Sequence, residues 1–250
     1  MKIALYGGTF DPVHKGHLAI AQAAVERFGI DLVYFVPATV PPHKRGRELT
    51  DFYHRYAMLA LATATADARR FVPSLLEAGT DGPNYSIDTV RRLKKKLKKS
   101  DELYFLIGID AFLDLSTWRK PVELLGECDF IVASRPGYSL ADVGRALPEA
   151  LRPSKTELAA LRRRKNHGSI SLPSTTIHLL GNVRQNISST RIRAAAARKT
   201  GAELKHLVPE LVARYIRKQQ LYVALPAVGE KQSVNAAKVL SFDREHQLQP

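Results

Sequence analysis

Two histidines three residues apart, His14 and His17, close the string Gly7-Gly8-Thr9-Phe10-Asp11-Pro12-Val13-His14-Lys15-Gly16-His17. Residue types in this order can handle phosphate. The glycines let backbone N–H groups approach an anion closely, and a helix beginning near His17 adds partial positive charge. Two imidazoles on one side of the entering turn can donate to phosphate oxygens and stabilise charge as it builds. The spacing fits neither G-x-G-x-x-G nor G-x-x-x-x-G-K-[ST]. An isolated His-x-x-His would amount to two surface residues, and no further ligands cluster with it to hold zinc, so no metal site is expected. Only the whole string, placed after a first strand, points to phosphate.

A second string, Ile187-Ser188-Ser189-Thr190-Arg191-Ile192-Arg193, stands late in the chain. Ser188, Ser189 and Thr190 are capping residues ahead of Ala194–Ala197, a strong helix former. By itself the string is a helix cap. Paired with the first, it offers a second helix N-terminus for phosphates, with Arg193 one turn in as a charged clamp. Asp11 before Pro12 suits a turn and Asp88 suits a helix start, so neither is expected as a base or metal ligand.

The elements that would position these residues alternate. Ile3–Tyr6 is a short apolar run that stops at the glycines. Leu18, Ala21, Ala24, Val25 and Phe28 mark a helical stripe before Gly29, and Leu32–Val36 is a second strand. Helices are expected after Asp51, over Ser86–Leu97, over Thr190–Lys199 and at the end with Pro209 in the first turn. Strands are expected at Leu103–Ile107, Asp129–Ala133 and Thr176–Leu180. Such alternation with continuous apolar strands predicts an α/β, doubly wound (Rossmann-like) parallel sheet. One domain over 1–222 is expected. Residues 151–175, basic and bearing Pro153, Gly168 and Pro173, read as an insertion with a short helix (Thr156–Arg164) on a flexible connection. Residues 223–250 read as a weakly structured tail.

The chain has 250 residues, enough for a core without disulfide or metal, and its single Cys128 allows no internal disulfide. No apolar run of about 18 residues exists and the N-terminus lacks a signal-peptide pattern, so a cytoplasmic protein with no membrane partner is expected. The net charge of +14 favours acidic partners. The basic runs Arg91–Lys99 and Arg162–Lys165 have few interleaved aromatics. They are expected to be solvated faces, and no nucleic-acid partner is expected.

Together, G-x-F-D-P-x-H-x-G-H and I-S-S-T-x-I-R resemble the HxGH nucleotidylyltransferase superfamily. Further strings narrow the resemblance to bacterial nicotinate-mononucleotide adenylyltransferases. They are Val40-Pro41-Pro42-His43-Lys44, Tyr85-Ser86-Ile87-Asp88-Thr89, Gly108-Ile109-Asp110 with Trp118, Arg135-Pro136-Gly137-Tyr138, and Val208-Pro209 with Tyr215-Ile216. The resemblance covers about residues 1–150 and 176–222. The family usually shows Thr where Ser86 stands and Gly near Gln220.

The resemblance implies transfer of AMP from ATP to nicotinate mononucleotide, with Mg²⁺ carried by the ATP. Gly8, Thr9, Phe10, His14 and His17 would hold the ATP phosphates, with His17 stabilising the transition state. Ser189, Thr190 and Arg193 would hold the triphosphate from the other side, and Gly108 and Asp110 would line the cleft. Lys44 would meet a substrate phosphate, while Tyr85, Ser86 and Trp118 would form the pyridine pocket. The only Trp of the chain, an electron-rich ring, suits a cationic pyridinium. The alternatives are another adenylyltransferase of the superfamily, with nicotinamide mononucleotide or phosphopantetheine as acceptor, or a basic nucleic-acid-binding protein.

Overall fold

The computed structural model describes residues 1–39, 49–79, 82–134, 137–163, 167–181, 183, 187–198 and 201–223. Strand β1 (Lys2–Gly8) leads into α1 (Lys15–Phe28), β2 (Leu32–Pro37), α2 (Phe52–Ala66) and the short β3 (Phe71–Pro73). Next come α3 (Ser86–Lys94), β4 (Glu102–Gly108), α4 (Ile109–Leu113), α5 (Pro121–Leu125) and β5 (Asp129–Ala133). Then follow α6 (Leu140–Ala146), α7 (Lys155–Arg162), β6 (His167–Ser171), β7 (Thr176–Leu180), α8 (Ser189–Ala197), α9 (Gly201–Leu207) and α10 (Glu210–Lys218).

The strands form one sheet in the order β3-β2-β1-β4-β5-β7-β6. Every pair is parallel except β6 with β7. From β1 the chain moves outward to β2 and β3, then returns to lay β4 on the other side of β1. The order reverses between β1 and β4, where a doubly wound sheet opens a crevice beyond its carboxyl ends.

Side chains of β1 alternate between two cores. Ala4 and Tyr6 pack with α1, α2, α8, α9 and α10 through residues such as Val25, Leu59, Ile192, Leu207 and Ile216. Ile3 and Leu5 pack with α3, α4, α5 and α6 through Val90, Phe112, Leu125 and Val143. Both faces of the sheet are therefore covered, which is why its strands carry continuous apolar runs.

Three expectations need correction, and two elements, β3 and α6, go beyond those expected. The segment 151–175 holds the expected short helix, as α7, but also a strand: β6 lies at the sheet edge, with Ser169 opposite His178, and Ile170 is buried. A strand with one inward apolar residue gives almost no periodic signal. Strand β3 is likewise too short to announce itself. Helix α6 begins with a capping box in which the Ser139 hydroxyl and N–H both donate to Asp142 at 2.7 Å. That Ser-x-x-Asp signal is visible in the sequence but lies outside the expected helices. The basic face of α3, which stops at Lys94, is not merely solvated. Arg91 pairs with Glu123 and Glu127 of the α5 region, and Lys94 pairs with Glu127. Pro209 precedes α10 as its N-cap and does not sit in its first turn.

Candidate active site

Two cavities open at the β1–β4 crevice, of about 350 Å³ and about 400 Å³. Both are faced by Gly7, Gly8, Thr9, Gly108, Asp110 and Ala111. The ends of β1 and β4 are thus a common wall between them.

The smaller cavity is built on the turn between β1 and α1. The Phe10 backbone adopts a left-handed conformation, φ 46°. That is a costly choice for a bulky residue, and it is held by burying the ring against Tyr6, Phe35 and His17. A Cβ on Gly8 would sit 3.1 Å from this ring, tight enough that the ring would have to shift by a few tenths of an ångström. One buried and two half-buried side chains hold the turn from outside. Arg55 donates to Thr9 O at 2.8 Å and to Ala38 O at 2.7 Å, while Ser189 donates to Pro12 O at 3.1 Å. Arg193 donates to Asp11 O at 2.6 Å. In a trans peptide the C=O and the next N–H point oppositely, so the Phe10 N–H is directed away from Arg55.

Arg55 is only 1 % exposed. Burial lowers its pKa, and the neighbouring Asp11, Asp51 and Glu77 oppose that effect. Guanidinium remains charged in such settings, so a fixed cation lies under the turn.

His14 and His17 cap α1 reciprocally. His17 N–H donates to His14 Nδ1 at 3.3 Å and His14 N–H to His17 Nδ1 at 3.2 Å. The rings stack with centroids 3.6 Å apart. With each Nδ1 accepting, a neutral ring must carry its proton on Nε2, so each imidazole is a donor there. Ser188 caps α8 by accepting from Arg191 N–H at 3.3 Å. The N-termini of α1 and α8 therefore face one hollow, an arrangement suited to anions.

The larger cavity carries aromatic and charged groups. Tyr85 and Ser86 begin α3, and Trp118 stands across from them with its ring edge-on to Phe105 at 6.4 Å. Glu77 is buried in this wall, where it accepts from the Thr89 hydroxyl at 2.6 Å and from Thr39 N–H at 3.3 Å. Burial pushes the Glu77 carboxyl up, against the lowering effect of Thr89, Thr39, Arg92 and Arg55. Asn84, Asp114 and Arg119 complete the charged and polar lining.

The crevice brings together most of the residues expected from sequence. Gly8, Thr9, Phe10, His14, His17, Gly108, Asp110 and Ser189 line the smaller cavity. Tyr85, Ser86, Asp110 and Trp118 line the larger. Thr190 and Arg193 line neither. Their side chains bond each other at 3.0 Å while Arg193 holds the turn. Lys44 lies outside the described residues. Sequence reasoning missed Arg55, Glu77, Arg119 and Tyr222. For Arg55 a signal exists: it is four residues from Leu59, on the buried face of α2. Among the described residues, no group of three His, Cys, Asp or Glu is placed to hold a metal ion. None of the described helices is long and apolar enough to cross a membrane.

Residues 5–195 match the cytidylyltransferase-like family. A protein of Geobacter sulfurreducens named "Probable nicotinate-nucleotide adenylyltransferase" is 40% identical over 222 residues, covering 89% of this chain and 98% of that one. The chain belongs to the nicotinate-nucleotide adenylyltransferase family. A relative of the same name from a Thermoanaerobacter species is also 40% identical, over 89% of this chain and 94% of its own. A solved Plasmodium falciparum nicotinic acid mononucleotide adenylyltransferase, complexed with NaAD, shares the fold with a TM-score of 0.63 at 19% identity. It covers 88% of this chain and 97% of that one. In this adenylyltransferase, then, the HxGH turn and the start of α8 enclose one hollow of the β1–β4 crevice, and the start of α3 with Trp118 encloses the other.

Proposed function

We propose that this enzyme transfers AMP from ATP to the phosphate of nicotinate mononucleotide, releasing pyrophosphate and nicotinate adenine dinucleotide. The observation that carries this is the common wall. A hollow facing two helix N-termini adjoins a hollow with an aromatic wall, so a triphosphate and a pyridine nucleotide can meet across Gly8–Thr9 and Gly108–Asp110.

The nucleophile is a phosphate oxygen of the mononucleotide, with a second pKa of about 6, so it needs no strong general base. It attacks the α-phosphorus in line as the bond to pyrophosphate breaks, and no covalent enzyme intermediate forms. The chain supplies position and charge stabilisation. His14 and His17 donate from Nε2 to the phosphates, and the backbone of Gly8-Thr9-Phe10 lies beneath them. Ser189 and Thr190 flank the triphosphate from the start of α8. Arg193 holds the turn through Asp11 O and has further N–H donors for phosphate oxygens. Mg²⁺ enters as part of the ATP substrate, keeping its waters and its phosphate ligands. Tyr85, Ser86 and Trp118 hold the pyridine, Asp110 serves both nucleotides, and Lys44 meets the mononucleotide phosphate. Residues 1–222 form the catalytic unit and 223–250 a tail. A cytoplasmic setting suits the single thiol and these substrates.

The test is pyrophosphate release with MgATP and a panel of acceptors. Nicotinate mononucleotide should be turned over and yield the dinucleotide. Turnover of phosphopantetheine with neither pyridine mononucleotide would overturn the assignment.

A further inference from the structure

The larger cavity is lined by three carboxylate side chains, Glu77, Asp110 and Asp114. Such a wall welcomes a cationic pyridinium. It disfavours a carboxylate on that ring, which would enter beside these acidic side chains. Among the described lining residues only Arg119 is basic.

Arg119 follows Trp118 at the mouth of this cavity. It lies between Trp118, whose N–H donates to Leu115 O at 3.0 Å, and Lys120, whose carbonyl accepts from Leu124 N–H at 2.9 Å. Lys120 itself adopts a left-handed φ of 52°, and Pro121 opens α5 directly after it. This short bridge places the Arg119 backbone beside the start of α3, and its side chain is exposed there. Its guanidinium lies over the Tyr85 ring, 4.6 Å from the centroid. Among the described residues it makes no hydrogen bond or ion pair. A guanidinium stacked on an aromatic face keeps its N–H donors in the plane, where a carboxylate can take two of them. Tyr85 is also the N-cap of α3, whose first backbone N–H groups follow it in the chain.

We infer that the Arg119 side chain selects an acidic over an amide substituent on the pyridine ring. The inference rests on the proposed function. A ring carboxylate gains from a cation in this cavity, and Arg119 offers one. An amide needs none, offers one oxygen, and turns its NH₂ toward donors if it tries to bind in the same way.

The experiment measures kcat/KM for nicotinate and nicotinamide mononucleotides in wild type, Arg119→Ala and Arg119→Lys. Binding is read in parallel from the fluorescence of Trp118, the only Trp. Arg119→Ala should lose about 10-fold or more with the acid, as for a lost charge-assisted bond. With the amide it should change less than about 3-fold. Arg119→Lys should fall between, because an ammonium keeps the charge but not the fork. The KM for ATP should not move. A structural role would lower both acceptors together, and that result overturns the inference, as does an unchanged ratio. Wild type that neither turns over nor binds either pyridine nucleotide overturns the proposed function and the inference with it.

Discussion

The Tyr222 hydroxyl donates a 2.7 Å hydrogen bond to Asp11, joining residues 211 apart. Asp11 is 3 % exposed and its carbonyl is held by Arg193. The segment that follows α10 is therefore fastened under the phosphate turn. Burial, with Asp11 beside it, pushes the Tyr222 phenol far up, so the hydroxyl keeps its proton at any working pH. Tyr222→Phe should destabilise by about 1–3 kcal/mol, the usual cost of stripping a partner from a buried acceptor. It should also lower kcat. A chain ending at Val223 should stay within a few-fold of full activity, while one ending at Leu221 should behave like Tyr222→Phe or worse. Thermal melts and initial rates on the three variants decide it. Equal activity of the two truncations would sink the fastening role.

His17 caps α1 and faces the phosphate hollow at once. His17→Ala should lower kcat by about 10²-fold, the scale for one lost stabilising donor. It should also cost about 1 kcal/mol of stability, because the His14 N–H loses its acceptor. Folding should survive. Near-normal kcat would remove His17 from the mechanism.

Two glycines on the common wall should fail differently. A Cβ on Gly8 would press on the Phe10 ring, so Gly8→Ala should cost about 1–3 kcal/mol of stability as well as rate. A Cβ on Gly108 would meet nothing within 4 Å and would project into open space on that wall. Gly108→Ala should melt like wild type and raise the KM of both nucleotides. Matching melts and KM values for the two variants would contradict this geometry.

Cys128 is a structural thiol. Burial pushes it up to about 12. An unfolded cysteine ionises near pH ~8.5, so the unfolded chain releases this proton first. The thiol's contribution to stability is whole below about 8.5 and is lost as pH climbs toward about 12. At pH 8, iodoacetamide should label denatured protein rapidly and native protein at a rate set by unfolding. Fast labelling of the native protein would show an exposed thiol.

The sequence makes the local parts of this site legible. His14, His17 and the start of α8 announce themselves because a glycine turn, a cap and a helix are written in consecutive residues. Arg55 and Tyr222 are harder, since their partners Thr9 and Asp11 lie 46 and 211 residues away. Glu77 gains its meaning from Thr39 and Thr89, which only the fold brings to it. Arg193 shows the limit of a local string. Its position suggests a clamp on phosphate, and only the fold shows that two of its N–H groups also hold Asp11 O and the Thr190 hydroxyl. The edge strand β6 escaped notice because one buried Ile170 sets no period.

Since Gly7, Gly8, Thr9, Gly108, Asp110 and Ala111 face both hollows, the dinucleotide product is a single ligand with two anchors. When one half lets go, the other keeps it tethered at an effective concentration in the ~mM range, and it rebinds before it escapes. Slow departure of the dinucleotide is then the expected limit on turnover, to be read as a burst of product before the steady state. The same tether makes linked two-headed compounds far stronger inhibitors than either half alone.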